Sequence, residues 1–559
     1  MTDSSLFTAG NTPDAPRSDL PELLTALAAD LRRVDYTLDG VAGLLGDSAY
    51  RALHRDQLIP ALLATENAAQ GEGTTAALAA VVRLWLLAEP QERDTLDAAL
   101  PGVGAEGLLT LGLVEPVPGT DQPGQDLLRA KVDLRPYGWA GNPETEAATG
   151  ETGGAELWVA SDLAAHQRGG VLRHDHVLGI GQASTTLVQS TIRRPVARAL
   201  DLGTGCGIQT FHLLHQAGHV TATDISKRAL AFTRFNLLLN ADVLQVDPER
   251  LEERVSLRLG SLLKPVEGEK FDQVVSNPPF VITPRTTHED ASEQFTYRDG
   301  GLPGDEIIAS LVAALPGVLV PGGTAQLLGN WEIAAGTEWQ ERPRDWVSPD
   351  VDAWFIQREQ VDPEQYAETW LRDASEGRDR KHYLESYAAY LDDFASRNVE
   401  GIGFGMIWLR RPLGDGPGEA TISRFEEITY LIEQPIGPHL GSAVERSDWL
   451  AACSLEDAHL LVAEDVTEER HQRPGAEHPG VILLRQGAGL RRTNLLSTEL
   501  AGFVSACDGD LSVGQIIGAL EALLGGSLAG EDGFDAGAFR SGLLTEVGNL
   551  VRDGFLLPG

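Results

Sequence analysis

Two short stretches, Asp201-Leu-Gly-Thr-Gly-Cys-Gly207 and Ser276-Asn-Pro-Pro-Phe280, each end an apolar run, and they constrain what the middle of this chain can fold into. The first follows Val196-Ala-Arg-Ala-Leu200 and precedes an apolar segment from Ile208 to Ala217, which predicts a buried strand, a glycine turn and a helix. Glycine suits such a turn because it tolerates positive φ and lets a ligand reach the backbone with no side chain between. A second strand, His219 to Thr223, runs into Asp224, at the spacing where an α/β nucleotide fold grips ribose hydroxyls. A nucleoside ligand is therefore expected. Ile208 stands where the dinucleotide fingerprint needs its third glycine, which speaks against NAD.

The second stretch leaves another buried strand, Phe271 to Ser276. Both prolines lack an N–H and fix φ, so the strand cannot continue. The chain must turn out at the carboxyl end of the sheet, where open α/β folds place their ligands. Asp201 and the glycine triplet resemble motif I of class I S-adenosylmethionine (SAM) methyltransferases. Asn277-Pro-Pro-Phe280 resembles motif IV of the amino methyltransferases that modify exocyclic base amines or glutamine side-chain amides.

The resemblance implies an α/β, Rossmann-like sheet, SAM as cofactor and methylation of a planar nitrogen. It assigns catalysis to Asn277, Pro278 and Phe280: the Asn277 side-chain oxygen and the Pro278 carbonyl accept from a substrate –NH2 while Phe280 packs on the planar group. Cofactor contacts fall to Asp201, Gly203, Thr204, Gly205, Gly207, Asp224, Ile225, Ser261 and Asn277. An amide or aryl amine is a poor nucleophile because its lone pair is delocalised. Two acceptors aimed at its hydrogens favour the pyramidal geometry, a stabilisation that grows toward the transition state. The proton can leave after transfer, so no side chain with a tuned pKa is required.

Other segments extend the resemblance, which covers about residues 170–430. Asp175 to Thr185 stands where this group has a loop over the methionine part of SAM; its hydroxyls serve either the SAM carboxylate or the cap of the next helix. Ser261 replaces the acidic residue that usually contacts the adenine amine. Tyr297-Arg-Asp-Gly-Gly-Leu-Pro-Gly-Asp305 resembles the glycine-rich segment of the release-factor glutamine methyltransferase group.

Composition narrows the partner. A net charge of −38 over 559 residues disfavours extended contact with phosphate backbones. Two local clusters, Arg193, Arg194 and Arg198, and Lys227, Arg228 and Arg234, read either as basic patches or as solvated helix faces. The three cysteines, Cys206, Cys453 and Cys507, lack metal-ligand spacing and fit a reducing compartment. His174 and His176 lack a third ligand in sequence, so no metal is expected. The first residues carry no basic or apolar signal, and the most apolar helix, around Ala76 to Ala88, is too short to span a bilayer. A cytoplasmic, non-membrane protein is expected.

The remaining chain divides by pattern. Residues 1–18 read as a disordered tail, and 19–165 as a mainly helical or winged-helix-like domain with a small β segment and a polar tether at 141–154. The methyltransferase core spans 170–432, with Val399 to Arg410 and Ile422 to Ile432 as its last two strands and a helical insert at about 336–398. Trp331, Trp339, Trp346, Trp354, Tyr366, Trp370, Tyr383, Tyr387 and Tyr390 in and beside the insert suit base stacking, a protein interface or the core of a helical lid. Residues 433–559 read as a C-terminal domain, winged-helix-like from about 490 and suited to docking or dimerisation. The function expected is SAM-dependent N-methylation of a protein glutamine, with the translation machinery as candidate substrate. The alternative is an RNA or DNA amino methyltransferase, and a third reading is a regulatory protein that binds SAM without turnover.

Overall fold

The computed structural model describes residues 7, 12–118, 126–139, 154–164, 167, 173–284, 301–373, 380–413, 420–527 and 535–559. Residues 141–153 of the tether and 297–300 of the glycine-rich segment after Phe280 lie outside them. The chain divides into two compact units: Met1–Thr185, Pro195–Ser348 and Gln360–Leu413 form one, and Thr186–Arg194, Pro349–Glu359 and Gly414–Gly559 the other.

In the first unit, six helices lie between Pro21 and Leu111, followed by a hairpin of Asp133–Trp139 and Ala155–Ser161. Thr12, Ala15 and Ser18 are buried, although their polar setting suggested a disordered tail. Arg234 explains this: its guanidinium donates to the Ser18 carbonyl and hydroxyl, a partner 216 residues away that no local pattern reveals.

Beyond the hairpin come β1 (Val196–Leu202), α1 (Ile208–Leu213), β2 (Ala217–Asp224), α2 (Lys227–Leu239), β3 (Val255–Leu259), β4 (Phe271–Ser276), α3 (Glu306–Ala314) and β5 (Leu319–Ala334). Two further helices, α4 (Pro363–Asp373) and α5 (Arg380–Ser396), precede β6 (Val399–Arg410). The strand order is β6-β5-β4-β1-β2-β3, parallel except for β6. β1 is thus the switch point, with β2 on one side and β4 on the other. The crevice beyond the carboxyl ends of β1 and β4 is where such a sheet takes a ligand. Strand interiors such as Ala199, Leu200, Val274 and Val275 are fully buried, as both faces of a covered parallel sheet require.

Asn236 on α2 and Asn240 at its C-terminal cap pin the hairpin. The Asn236 amide exchanges bonds with the N–H and carbonyl of Ala160, and Asn240 does the same with Trp158. Spaced i,i+4, they imitate a neighbouring strand and satisfy an edge that would otherwise be bare.

The region read as a helical insert holds a ten-residue strand, Asp352–Val361, whose run Ala353-Trp-Phe-Ile356 has the apolar, β-prone chemistry of a buried strand. In the second unit it pairs in parallel with Ser423–Glu427, the only strand between 422 and 432. Further on lies an antiparallel meander of Val466–His471, Val481–Gln486 and Thr493–Leu496. Helices Thr498–Val504, Val513–Ser527 and Ala536–Asp553 follow, with a sheet of Asp508–Ser512, His459–Val462 and Leu556–Pro558. Leu460, Ile482 and Leu484 share one core with Phe503, Val547 and Leu550, so packing extends well before residue 490. Among the described residues no helix is long and apolar enough to cross a membrane.

Candidate active site

The glycine turn is knitted by its own neighbours. The N–H groups of Gly203 and Thr204 both reach the Thr223 carbonyl at 2.9 Å, tying the end of β1 to the end of β2. The Gly205 N–H donates to Asp224 Oδ2 at 3.0 Å, and the Thr233 hydroxyl on α2 donates to the Gly205 carbonyl at 2.9 Å. Gly205 has φ 57° and nothing within 4 Å of the place a Cβ would take, so its backbone faces open space. Gly207 is glycine for another reason: with φ 97°, a Cβ would lie 3.1 Å from both the Phe211 ring and Thr233.

Asp201 lies inside this turn and has no exposed surface. Its Oδ2 accepts from the hydroxyls of Thr204 and Thr210, each at 2.7 Å, and burial pushes its carboxyl up to about 6. A side chain with no accessible area cannot touch a ligand, so Asp201 shapes the turn where direct cofactor contact was expected. Thr204, also buried, shares that internal role.

Asp224 stands at the lip. Oδ1 takes the Ser226 N–H at 2.7 Å while Oδ2 holds Gly205, and Ser226 caps α2 by accepting from Ala229. Each carboxylate oxygen has a second lone pair left for a ligand hydroxyl. Burial pushes the Asp224 carboxyl up, opposed by those N–H groups. Beside it the Ile225 side chain is 57% exposed, and the Asp224 carbonyl takes the Gly260 N–H, bringing the end of β3 and half-buried Ser261 to the same edge.

The second turn leaves β4 directly beside the first. Leu202 and Ser276 are register partners, and the Ser276 hydroxyl donates to the Leu202 carbonyl at 2.8 Å. A Cβ on Gly203 would lie 3.9 Å from the Asn277 carbonyl, so the two turns share one crevice. Asn277 Oδ1 is buried and has no hydrogen-bond partner among the described residues. Pro278 is buried, and Pro279 and Phe280 are half-buried. The site residues expected from the sequence therefore gather at one sheet edge, with Asp201 and Thr204 beneath it.

Two residues escaped the sequence reading of this site. Asn330 on β5 donates to the Phe280 carbonyl at 2.7 Å, and the Tyr366 hydroxyl on α4 accepts from the Ile282 N–H at 2.7 Å. A polar Asn inside the apolar run Leu327-Leu-Gly-Asn-Trp331 was the available signal.

The flanking loop is also held from within. Arg228 is buried and grips Asp162 through two 2.7 Å bonds, while the Val177 N–H donates to Asp162 Oδ2. Arg228 and Arg234 therefore turn inward, and neither belongs to a solvated face or a basic patch. Thr185 donates its hydroxyl to the Gly181 carbonyl. Burial pushes the Cys206 thiol up to about 12, which keeps it protonated and unreactive. Among the described residues no group of three or more His, Cys, Asp or Glu side chains is placed to hold a metal ion.

Comparison with known proteins bears on this geometry. Residues 163–298 match the methyltransferase small domain family, and residues 33–124 a domain of unknown function, DUF7059. The chain is similar to a ribosomal protein uL3 glutamine methyltransferase of Bradyrhizobium diazoefficiens, 29% identical over 32% of this chain and 54% of that one. It is also similar to a release factor glutamine methyltransferase of Moorella thermoacetica, 34% identical over 23% of this chain and 44% of that one. A SAM-dependent methyltransferase structure from Thiobacillus denitrificans with S-adenosyl-L-homocysteine aligns at a TM-score of 0.22, 18% identical, over 41% of this chain and 91% of that one. The chain spans about half the length of the curated relatives it matches. The stretch 163–298 that matches the methyltransferase small domain family carries both the glycine turn and the Asn-Pro-Pro-Phe turn, on a class I, Rossmann-like sheet.

Proposed function

We propose that this protein is a SAM-dependent N-methyltransferase acting on a planar amide nitrogen, a glutamine side chain of a protein in the translation machinery. The observation that carries the reading is the buried Asn277 Oδ1, unpaired among the described residues, at the mouth of β4 beside Gly203 of the glycine turn. A buried amide oxygen without a partner costs about 1–3 kcal/mol, a cost that a substrate N–H removes on binding.

The cradle suits SAM. Asp224 would hold ribose hydroxyls, Gly203 and Gly205 admit the ligand to the backbone, and Ile225 and Ser261 flank the adenine. Bound there, SAM supplies a methyl group on a sulfonium, an electrophile that needs no further activation. Asn277 Oδ1 and the Pro278 carbonyl take the two N–H groups of the substrate amide and turn its lone pair out of conjugation. Phe280 packs on the amide plane. In this site the amide nitrogen, held by Asn277 Oδ1 and the Pro278 carbonyl, would take the methyl group as its bond to sulfur breaks and would then lose one proton to water. Both acceptors bond more strongly as positive charge develops on nitrogen, so their effect falls on kcat.

Base stacking by the insert gains no support from its aromatic residues: Trp331, Trp354, Tyr366 and Tyr390 are buried and the other five are half-buried. The test uses the purified full chain with labelled SAM and three acceptors: a bacterial release factor, ribosomal protein uL3 and undermodified ribosomal RNA. Label is expected on a protein glutamine, with Asn277→Ala cutting kcat about 10²–10³-fold while SAM affinity by calorimetry stays within about twofold. Label in RNA alone, or equal turnover in Asn277→Ala, overturns the reading.

A further inference from the structure

Resting on that reading, we infer that Asn330 and Tyr366 are positioning residues that hold the acceptor turn in its productive shape. The turn leaves β4 with two prolines, and no ladder fixes it from Asn277 to Phe280. Its carbonyl at Phe280 is taken by Asn330 Nδ2, and, two residues on, the Ile282 N–H is taken by the Tyr366 hydroxyl. The same Nδ2 also donates to that hydroxyl at 3.3 Å, which joins the two anchors.

Each anchor is itself fixed. Asn330 lies opposite Phe404 in the β5–β6 register, and the Phe404 ring stacks on Tyr366 with centroids 5.7 Å apart and planes 16° apart. Tyr366 sits in a buried cluster with Ile282, Leu371, Tyr390 and Phe394, while Trp370, one turn along α4, meets the Phe280 ring edge-on at 6.5 Å. The helices between β5 and β6 therefore form the floor of the acceptor turn.

The chemistry of Asn330 argues for more than packing. The Phe280 carbonyl, which can only accept, fixes which end of the amide carries the nitrogen. That orientation leaves Asn330 Oδ1 buried with no partner among the described residues. At a fully buried strand position an apolar residue would avoid the cost of that oxygen. The donor to Phe280 is what the position gains in return. A shift of the Asn277 oxygen by about 1 Å is enough to cost catalysis about 100-fold.

The test compares wild type, Tyr366→Phe, Asn330→Asp and Asn277→Ala as full chains. Methyl transfer is measured to the release factor and uL3 proteins, SAM affinity by calorimetry and folding by thermal unfolding. Tyr366→Phe keeps the ring and its stacking and removes only the hydroxyl. Asn330→Asp keeps the shape and replaces the donor with an oxygen that repels the Phe280 carbonyl. Both are expected to lower kcat about 10- to 100-fold, with acceptor KM and SAM affinity within about twofold. If Asn330→Asp does not fold, Tyr366→Phe decides alone. Wild-type kcat in Tyr366→Phe, or an equal loss of SAM affinity, overturns this inference while an inactive Asn277→Ala leaves the methyltransferase reading standing. Full activity in Asn277→Ala overturns the reading itself, and the inference with it.

Discussion

The glycine turn after β1 and the Asn-Pro-Pro-Phe turn after β4 leave adjacent strands at the same sheet edge, yet they are held in opposite ways. The glycine turn is fixed by near neighbours: Thr204 to Asp201 spans 3 residues, Gly205 to Asp224 spans 19 and Thr233 to Gly205 spans 28. The acceptor turn is fixed from afar, by Asn330 at 50 residues and Tyr366 at 84. Near the first, one carboxylate oxygen of Asp201 is unpaired; near the second, the oxygens of Asn277 and Asn330 both are. The cofactor side is a self-contained cassette, whereas the substrate side is assembled by tertiary packing.

The sharpest break of that comparison comes through Asp201, the carboxylate of the cassette with no exposed surface. Its folded pKa of about 6 lies above its ordinary value of 3.8. Its stabilising effect is therefore whole below about pH 4 and is lost as pH rises through about 6. The charged form costs about 3 kcal/mol above that window. Asp201→Asn can still accept from Thr204 and Thr210 and has no charge to bury. Chemical unfolding at pH 4, 5, 6 and 7 is expected to show the variant gaining on wild type up to about pH 6 and holding its lead beyond. A gap that does not change with pH removes Asp201 as a buried titrating group.

Next in size is Asp224→Ala. The carboxylate holds the Gly205 and Ser226 N–H groups and, in the proposed complex, the ribose. Charge-assisted bonds of this kind contribute about 1.5–3 kcal/mol, so SAM affinity should fall about 10- to 100-fold. kcat at saturating SAM should change little, because the acceptor turn has its own supports. A fall in kcat matching the fall in affinity would show that the two turns are not separable.

The same contrast explains what was legible in the sequence. β1, β2 and β4, the two turns and Asp224 were readable because each rests on a short pattern: a buried run, a glycine at positive φ, a proline that ends a ladder. The buried place of Asp201 was not readable, since a carboxylate before a glycine turn faces ligand or hydroxyl equally well by pattern. Thr210, one turn into α1, decides it. The strand Asp352–Val361 was hidden because Trp and Arg around it drew attention to surface chemistry, while its own Ala-Trp-Phe-Ile run is core. Asn330 and Tyr366 were seen as a strand residue and an insert aromatic. Their shared role requires β5 and α4 to meet, which no window of sequence contains.

The smallest expected effect, and the finest division between the two turns, is at Ile225. It follows Asp224 and is 57% exposed, an apolar group that packing within the chain leaves more than half uncovered. Covering roughly half an isoleucine side chain with a flat base contributes about 1 kcal/mol. Ile225→Ala should therefore weaken SAM about fivefold and leave thermal unfolding without ligand unchanged. A cassette built from local contacts can give up this side chain without disturbing the acceptor turn, so kcat in saturating SAM should also hold. If Ile225→Ala binds SAM as wild type does, the adenine lies elsewhere on the lip, and Leu259, 49% exposed at the end of β3, becomes the side chain to truncate next.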